Sequence, residues 1–160
     1  MFNEDKTVAA AQKVMLEILV EIHRICVENN ITYWLEAGTL LGAIRHKGFI
    51  PWDDDCDISM PRKDYERFLQ IAQEKLPETM FLQTKETDKE YPLPWAKIRK
   101  NGTLLIETGE TGEEKYHHGI FVDIFHMIIM SRRKSSISCC GQGRQKTKRI
   151  SIRRGVSREC

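Results

Sequence analysis

Apolar residues recur at three- and four-residue steps through the first part of the chain, at Met15, Ile18, Leu19, Ile22, Ile25 and Cys26. This spacing predicts an amphipathic helix from Thr7 to about Glu28, capped by Thr7 and closed by Asn29 and Asn30. Ile31–Leu35 is β-branched and aromatic and reads as a strand delivering Gly38 and Thr39. Leu40 to Arg45 follows as a short helix whose start could offer backbone N–H groups to a phosphate. Residues Cys56 to Met60 alternate as a strand ended by Pro61. Tyr65, Phe68, Leu69, Ala72 and Leu76 mark a second amphipathic helix stopping before Pro77. Phe81–Gln83 is a short strand, and the polar run from Thr84 to Glu90 is a loop. Residues Trp95–Lys100 and Thr103–Ile106, joined by Asn101-Gly102, predict a hairpin. Gly119 to Phe125 is a nearly continuous apolar strand interrupted by Asp123.

The 160 residues suffice for one domain with a real core and hardly for two. A net charge of +2 points to no particular partner, but the basic residues concentrate after Ser131. No apolar run of membrane-spanning length and no signal-peptide segment stands in the sequence, so a cytoplasmic location is expected, at most with peripheral attachment at the inner face of the membrane. Cysteines number five, without disulfide-framework or C-x-x-C spacing. Zinc ligation by Cys139, Cys140, His117 and His118 is disfavoured because adjacent cysteines suit a tetrahedral site poorly.

The candidate chemistry is carried by Asp53, Asp54, Asp55 and Asp57. Carboxylates this close raise one another's pKa unless a cation sits among them. On the expected strand Asp55 and Asp57 share one face, a disposition that suits a hard divalent cation. An acidic surface loop sits badly with the flanking Phe49, Ile50, Pro51 and Trp52. An EF-hand loop would need Gly and Glu where Ile58 and Asp64 stand. There remains a phosphate-handling metal site. Asp123, costly to bury alone, either faces solvent at an edge or shares that cation. Lys97 and Arg99 share a strand face, where they would either blunt an exposed edge or neutralise phosphate.

Gly38-Thr39, Asp55-Cys56-Asp57-Ile58 and Val122-Asp123-Ile124 together resemble the nucleotidyltransferase superfamily of the DNA polymerase β type. The wording EAGTLLGAIRHKGFIPWDDDCDISM, WAKIRKNGTLLIE and GIFVDIF is similar to the LicD family of phosphorylcholine and fukutin-related ribitol-phosphate transferases, over about Gln12 to Phe125. The resemblance implies an α+β fold, a nucleotidyltransferase-like mixed sheet with flanking helices, over residues 1–130. It implies transfer of a phospho-alcohol from a CDP-activated donor to a cell-surface glycan acceptor in lipopolysaccharide, teichoic acid or capsule assembly, with magnesium (or manganese) as cofactor and no stable nucleic-acid partner. Carried over, Asp55 and Asp57 would hold the metal with Asp53 in support. Asp123 would complete that site or act as base. Gly38, Thr39, Arg45, Lys97 and Arg99 would meet the donor. A choline-type donor would also want an aromatic cage; Trp34, Trp52 and Trp95 are available, but nothing in the sequence places them around a ligand, and core packing is the better account of them.

After Phe125 the family wording stops. The Ser-, Arg- and Lys-rich residues 131–160 read as a disordered tail of truncated or frame-shifted origin. On that reading the domain is incomplete, and Phe121, Ile124, Ile128 and Ile129 lack assured partners. A metal-dependent nuclease and an inactive metal- and nucleotide-binding fragment are the competing functions.

Overall fold

The computed structural model describes residues 4–127. The expectations for the basic tail, Ile128, Ile129, Cys139 and Cys140 lie outside the described residues. Helix α1 spans Glu4–Glu28, strand β1 Trp34–Leu35, helix α2 Ala37–Arg45, β2 Asp57–Pro61, α3 Arg62–Lys75, β3 Met80–Gln83, β4 Ala96–Lys100 and β5 Phe121–Met127. The strands form one five-stranded sheet in the order β1-β2-β5-β4-β3. β2 and β5 run parallel, and the remaining pairs are antiparallel. This is the α+β mixed sheet with flanking helices that the resemblance implied.

Alternation along the strands divides the sheet into two unlike faces. Ile58, Met60, Ala96, Ile98, Val122 and Ile124 turn to one side, where α1 and α3 cover them and all are fully buried. Met15, Ile18, Ile22 and Ile25 of α1 and Phe68 and Ala72 of α3 fill that layer. Each large apolar side chain there contributes about 1.5–3 kcal/mol by leaving water. The opposite face carries Asp57, Ser59, Gln83, Lys97, Arg99, Phe121 and Asp123 in register. Chemistry is confined to this second face.

Several local expectations are corrected. Thr7 does not cap α1, because the helix already runs from Glu4. Its other end closes as expected: the Asn29 side chain donates to Ile25 O at 2.7 Å, and Asn30 turns out with a φ of 52°. Only Trp34 and Leu35 of the first expected strand pair, against Ser59 and Ile58. Helix α2 starts at Ala37, so Gly38 and Thr39 lie in its first turn and do not precede it. The Asn-Gly hairpin does not form. Gly102 has the expected positive φ of 73°, but Asn101 does not. β4 finds its partners in β3 and β5, and residues 103–106 hold no strand. Leu105 instead donates its N–H to His118 O at 2.7 Å, laying this segment beside the approach to β5. The edge-blunting account of Lys97 and Arg99 therefore fails, because β4 is interior. Phe121 and Ile124 are not short of partners: Ile124 faces the helices, and Phe121 lies under the cations of Lys97 and Arg99, at 3.4 and 4.8 Å from its ring centre.

Gly42 is where α2 meets the loop that leads to the aspartates. A Cβ there would stand 2.6 Å from Gly48 O and 3.0 Å from Ile50 N, both backbone atoms. Gly42→Ala is expected to cost on the order of 1–3 kcal/mol, as overpacking does, and a urea midpoint equal to wild type would refute this contact.

Candidate metal and phosphate site

The loop from Phe49 to Cys56 has almost no internal structure, and its neighbours fix it. Gln12 on α1 donates from Nε2 to Ile50 O (2.9 Å) and to Asp53 O (2.8 Å). The Asp57 N–H donates to Thr39 Oγ1 at 2.8 Å, and Glu36 N–H to Asp57 O at 3.0 Å. Thr39 thus acts on the start of β2 and holds the first turn of α2 against it. Gly38 has a related use: a Cβ there would come within 2.7 Å of Asp53 Oδ2. Absence of a side chain lets the Asp53 carboxylate lie against the first turn of α2, where helix N–H dipoles favour negative charge. That Oδ2 is buried and has no hydrogen-bond partner.

From this loop the carboxylates enter the polar face of the sheet. Asp57 and Asp123 are register partners on the parallel strands β2 and β5, so their side chains leave the same face of neighbouring strands. The Asp123 N–H donates to Cys56 O at 2.9 Å, tying the two strand starts together. Burial, then the charges of Asp55 and Asp123, push the Asp57 carboxyl up to about 7. Burial and the charges of Asp53 and Asp54 raise Asp55, and burial with Asp54 raises Asp53. A raised carboxyl pKa means that the fold favours the protonated form. Stability of the metal-free protein therefore falls as pH climbs from about 4, the unfolded value, through about 7. Asp57→Asn removes this charge. Discounted for solvent screening, it should raise metal-free stability at pH 8 by on the order of 1 kcal/mol, a few degrees in Tm, and change nothing at pH 4. Melting scans in chelator at both pH values check this, and a loss of stability at pH 8 would contradict it.

Asp123 is anchored on its other side. Trp95 Nε1 donates to its Oδ1 at 2.7 Å, and Lys97 Nζ lies 3.4 Å from the same carboxylate. Burial raises Asp123, while Lys97 and Trp95 pull it back down. Lys97 also binds Glu107 at 2.8 Å and is almost fully buried. Arg99, one alternation further along, donates to Gln83 Oε1 at 2.5 Å and Gly119 O at 2.7 Å, and its Nη2 stands 3.5 Å from Glu107.

Of the residues singled out from sequence, Asp53, Asp55, Asp57, Asp123, Gly38, Thr39 and Lys97 gather at one end of the polar face. Arg99 lies deeper, committed to protein partners. Arg45 is exposed at the far end of α2, about 10 Å of helix from Gly38. Trp95, Glu107 and Gln12 were not singled out as site residues. Strand alternation carries a signal for Trp95, which shares a face with Lys97. The all-oxygen donor set and the orphaned Asp53 Oδ2 match what a hard divalent cation binds. Among the described residues no three His, Cys, Asp or Glu side chains are already gathered into a metal cage. Mutually repelling carboxylates have no reason to close up without a cation between them.

The sequence pattern of the family described as LicD/FKTN/FKRP, nucleotidyltransferase domain, matches residues 30–134. Lipopolysaccharide cholinephosphotransferase LicD of Haemophilus influenzae is 46% identical over 80 residues, 50% of this chain and 30% of that protein. Human ribitol 5-phosphate transferase FKRP is 53% identical over 34 residues, 21% of this chain and 7% of that protein. The chain thus spans under a third of the length of either relative. The family match takes in α2, the aspartate loop and every strand of the sheet, and the chain belongs to the LicD/FKTN/FKRP nucleotidyltransferase-domain family.

Proposed function

We propose that this chain carries the donor site of a magnesium-dependent phosphotransferase, which moves phosphorylcholine or a similar phospho-alcohol from a CDP-activated donor to a hydroxyl of a cell-surface glycan. The observation that carries this reading is the register pairing of Asp57 with Asp123 beside Asp55, in a cluster whose burial and mutual repulsion call for a cation. Asp55 and Asp57, with Asp123, are the residues that would hold magnesium; when bound, it would neutralise the phosphates of the donor. The two relatives, a cholinephosphotransferase and a ribitol 5-phosphate transferase, support a phospho-alcohol as the transferred group.

The protein's own part in phosphoryl transfer is positioning and charge. Thr39 and Gly38 set the floor of the site, and Gln12 fixes the loop above it. Lys97 supplies positive charge beside Asp123. Trp95 donates to Asp123 Oδ1 and the Lys97 ammonium lies against both carboxylate oxygens, which fixes Asp123 where it would complete the metal's ligands or take the proton of the incoming hydroxyl. A carboxylate with its pKa raised by burial is the better proton acceptor for that task. No helix among the described residues is long and apolar enough to cross a membrane. Transfer is tested by following CDP-choline and CDP-ribitol by phosphorus NMR, with a glycan acceptor and with or without magnesium. Release of CMP with labelling of the acceptor only when magnesium is present supports the reading. Cleavage of nucleic acid in its place would favour a nuclease.

A further inference from the structure

Helix α2 is turned inside out. A surface helix normally buries an apolar stripe and shows polar residues to water. The two buried residues of α2 are Thr39 and Gly42. Leu40, Leu41 and Ile44 lie on one arc of about 100° facing the other way, and stand 43, 42 and 62% exposed. Helix α1 continues this surface. An apolar groove of about 310 Å³ between the two helices is lined by Leu16, Leu19, Leu35 and Ala43, and Leu16 is itself half exposed. We propose that this face of α1 and α2 docks on an anionic lipid bilayer, with its apolar side chains entering the acyl boundary and Arg45 and Lys47 meeting the headgroup phosphates.

Shape, charge and an exposed tryptophan choose this occupant. A partner helix would seat in the groove and leave the convex outer side of α2 in water, whereas a bilayer accommodates both. Arg45, His46 and Lys47 follow Ile44 directly and are all exposed. Among the described residues neither Arg45 nor Lys47 forms an ion pair. Glu17 and Glu21, which flank Leu16 and Val20 in sequence, are already paired with Lys100 and Arg24. The exposed carboxylate of Asp54 belongs electrostatically with Asp53 and Asp55, whose carboxyls it raises. Trp52 is 77% exposed and packs edge to face with His46, ring centres 6.4 Å apart, at the cationic end of α2. Tryptophan beside lysine and arginine is characteristic of the border between acyl chains and headgroups. Docking also has a positional consequence. The first turn of α2 is the floor of the aspartate site, so that site would stand at the lipid surface.

The docking face does not depend on the donor reading, and its test needs no nucleotide. Wild type, Ile44→Ser and Lys47→Asn are sedimented with vesicles of phosphatidylcholine alone and of phosphatidylcholine mixed with phosphatidylglycerol, and tryptophan emission is recorded on the same samples. Lys47 has a φ of 58°, which asparagine tolerates. Wild type should bind the anionic vesicles at least about tenfold more tightly than the neutral ones. Its emission should move to the blue as Trp52 leaves water. Ile44→Ser should weaken this binding about tenfold and Lys47→Asn about fivefold. Ile44→Ser leaves every charge in place, so attachment through charge alone, including that of the basic residues after Ser131, would survive it. Sedimentation of either variant as wild type, or equal sedimentation of wild type with both kinds of vesicle, would overturn the inference. So would self-association without lipid that Ile44→Ser abolishes, which would assign the face to a second copy of the chain.

Discussion

Asp55→Asn and Asp57→Asn are each expected to weaken magnesium-dependent binding of a CDP-activated donor by at least about 100-fold, since even residues behind a metal's ligands cost 10–100-fold when lost. The substitution keeps the size of the side chain and removes its charge. In the metal-free protein that charge is unfavourable, because Asp57 already lies among Asp55, Asp123 and Asp53. Affinity should therefore collapse while the fold holds, a combination that no destabilised variant would show. Calorimetry with and without magnesium, beside a melting scan, reads both quantities. Normal donor affinity in either variant would contradict the metal-site reading.

Arg99→Met is expected to produce the largest loss of stability of any single change on the polar face, about 3–5 kcal/mol. Arg99 is fully buried and bonded to Gln83, Gly119 O and, at longer range, Glu107. Burial lowers its pKa from the usual arginine value, and the charges of Glu107 and Glu110 oppose that. Methionine would leave the Gln83 amide and a backbone carbonyl without their donor, and Glu107 with Lys97 alone. Arg99→Lys should recover only part of the loss, since one ammonium cannot reproduce the two-pronged contact. Urea denaturation decides the matter. A variant of wild-type stability with lost donor affinity would show that Arg99 meets phosphate, the role its position in the sequence first suggested.

The helix-covered half of the fold was legible because apolar spacing along α1 and α3 directly records which side faces the sheet. The Asp55-x-Asp57 step and the lone carboxylate in an apolar strand were legible as the start of one polar face, since a buried charge needs a partner; β2 and β5 do set Asp57 beside Asp123, but the partners of the Asp123 charge are Lys97 and Trp95. What the sequence concealed was long-range. Asn101-Gly102 is a strong local turn signal, yet the strand before it, β4, pairs with β3 and β5, because register across the sheet buries Ile98 against Val122 and Leu82. Lys97 and Arg99 alternate with apolar residues as an exposed strand would, but the segment 103–119 supplies Glu107 and Gly119 O to them and closes over the polar face. That segment has no apolar periodicity, so nothing in it announces its role. Trp95 was weighed as a core residue or a cage wall, whereas its indole N–H serves Asp123.

The central claim is that the Asp55–Asp57 loop and Asp123 together hold one divalent cation at which the donor phosphates bind. Manganese(II) titration followed by electron paramagnetic resonance tests it most directly, using wild type, Asp57→Asn and Asp123→Asn with and without CDP-choline. The account predicts one tight site in wild type that tightens further with CDP-choline, and its loss in both variants. Manganese binding that ignores CDP-choline, or that survives both substitutions, would contradict it.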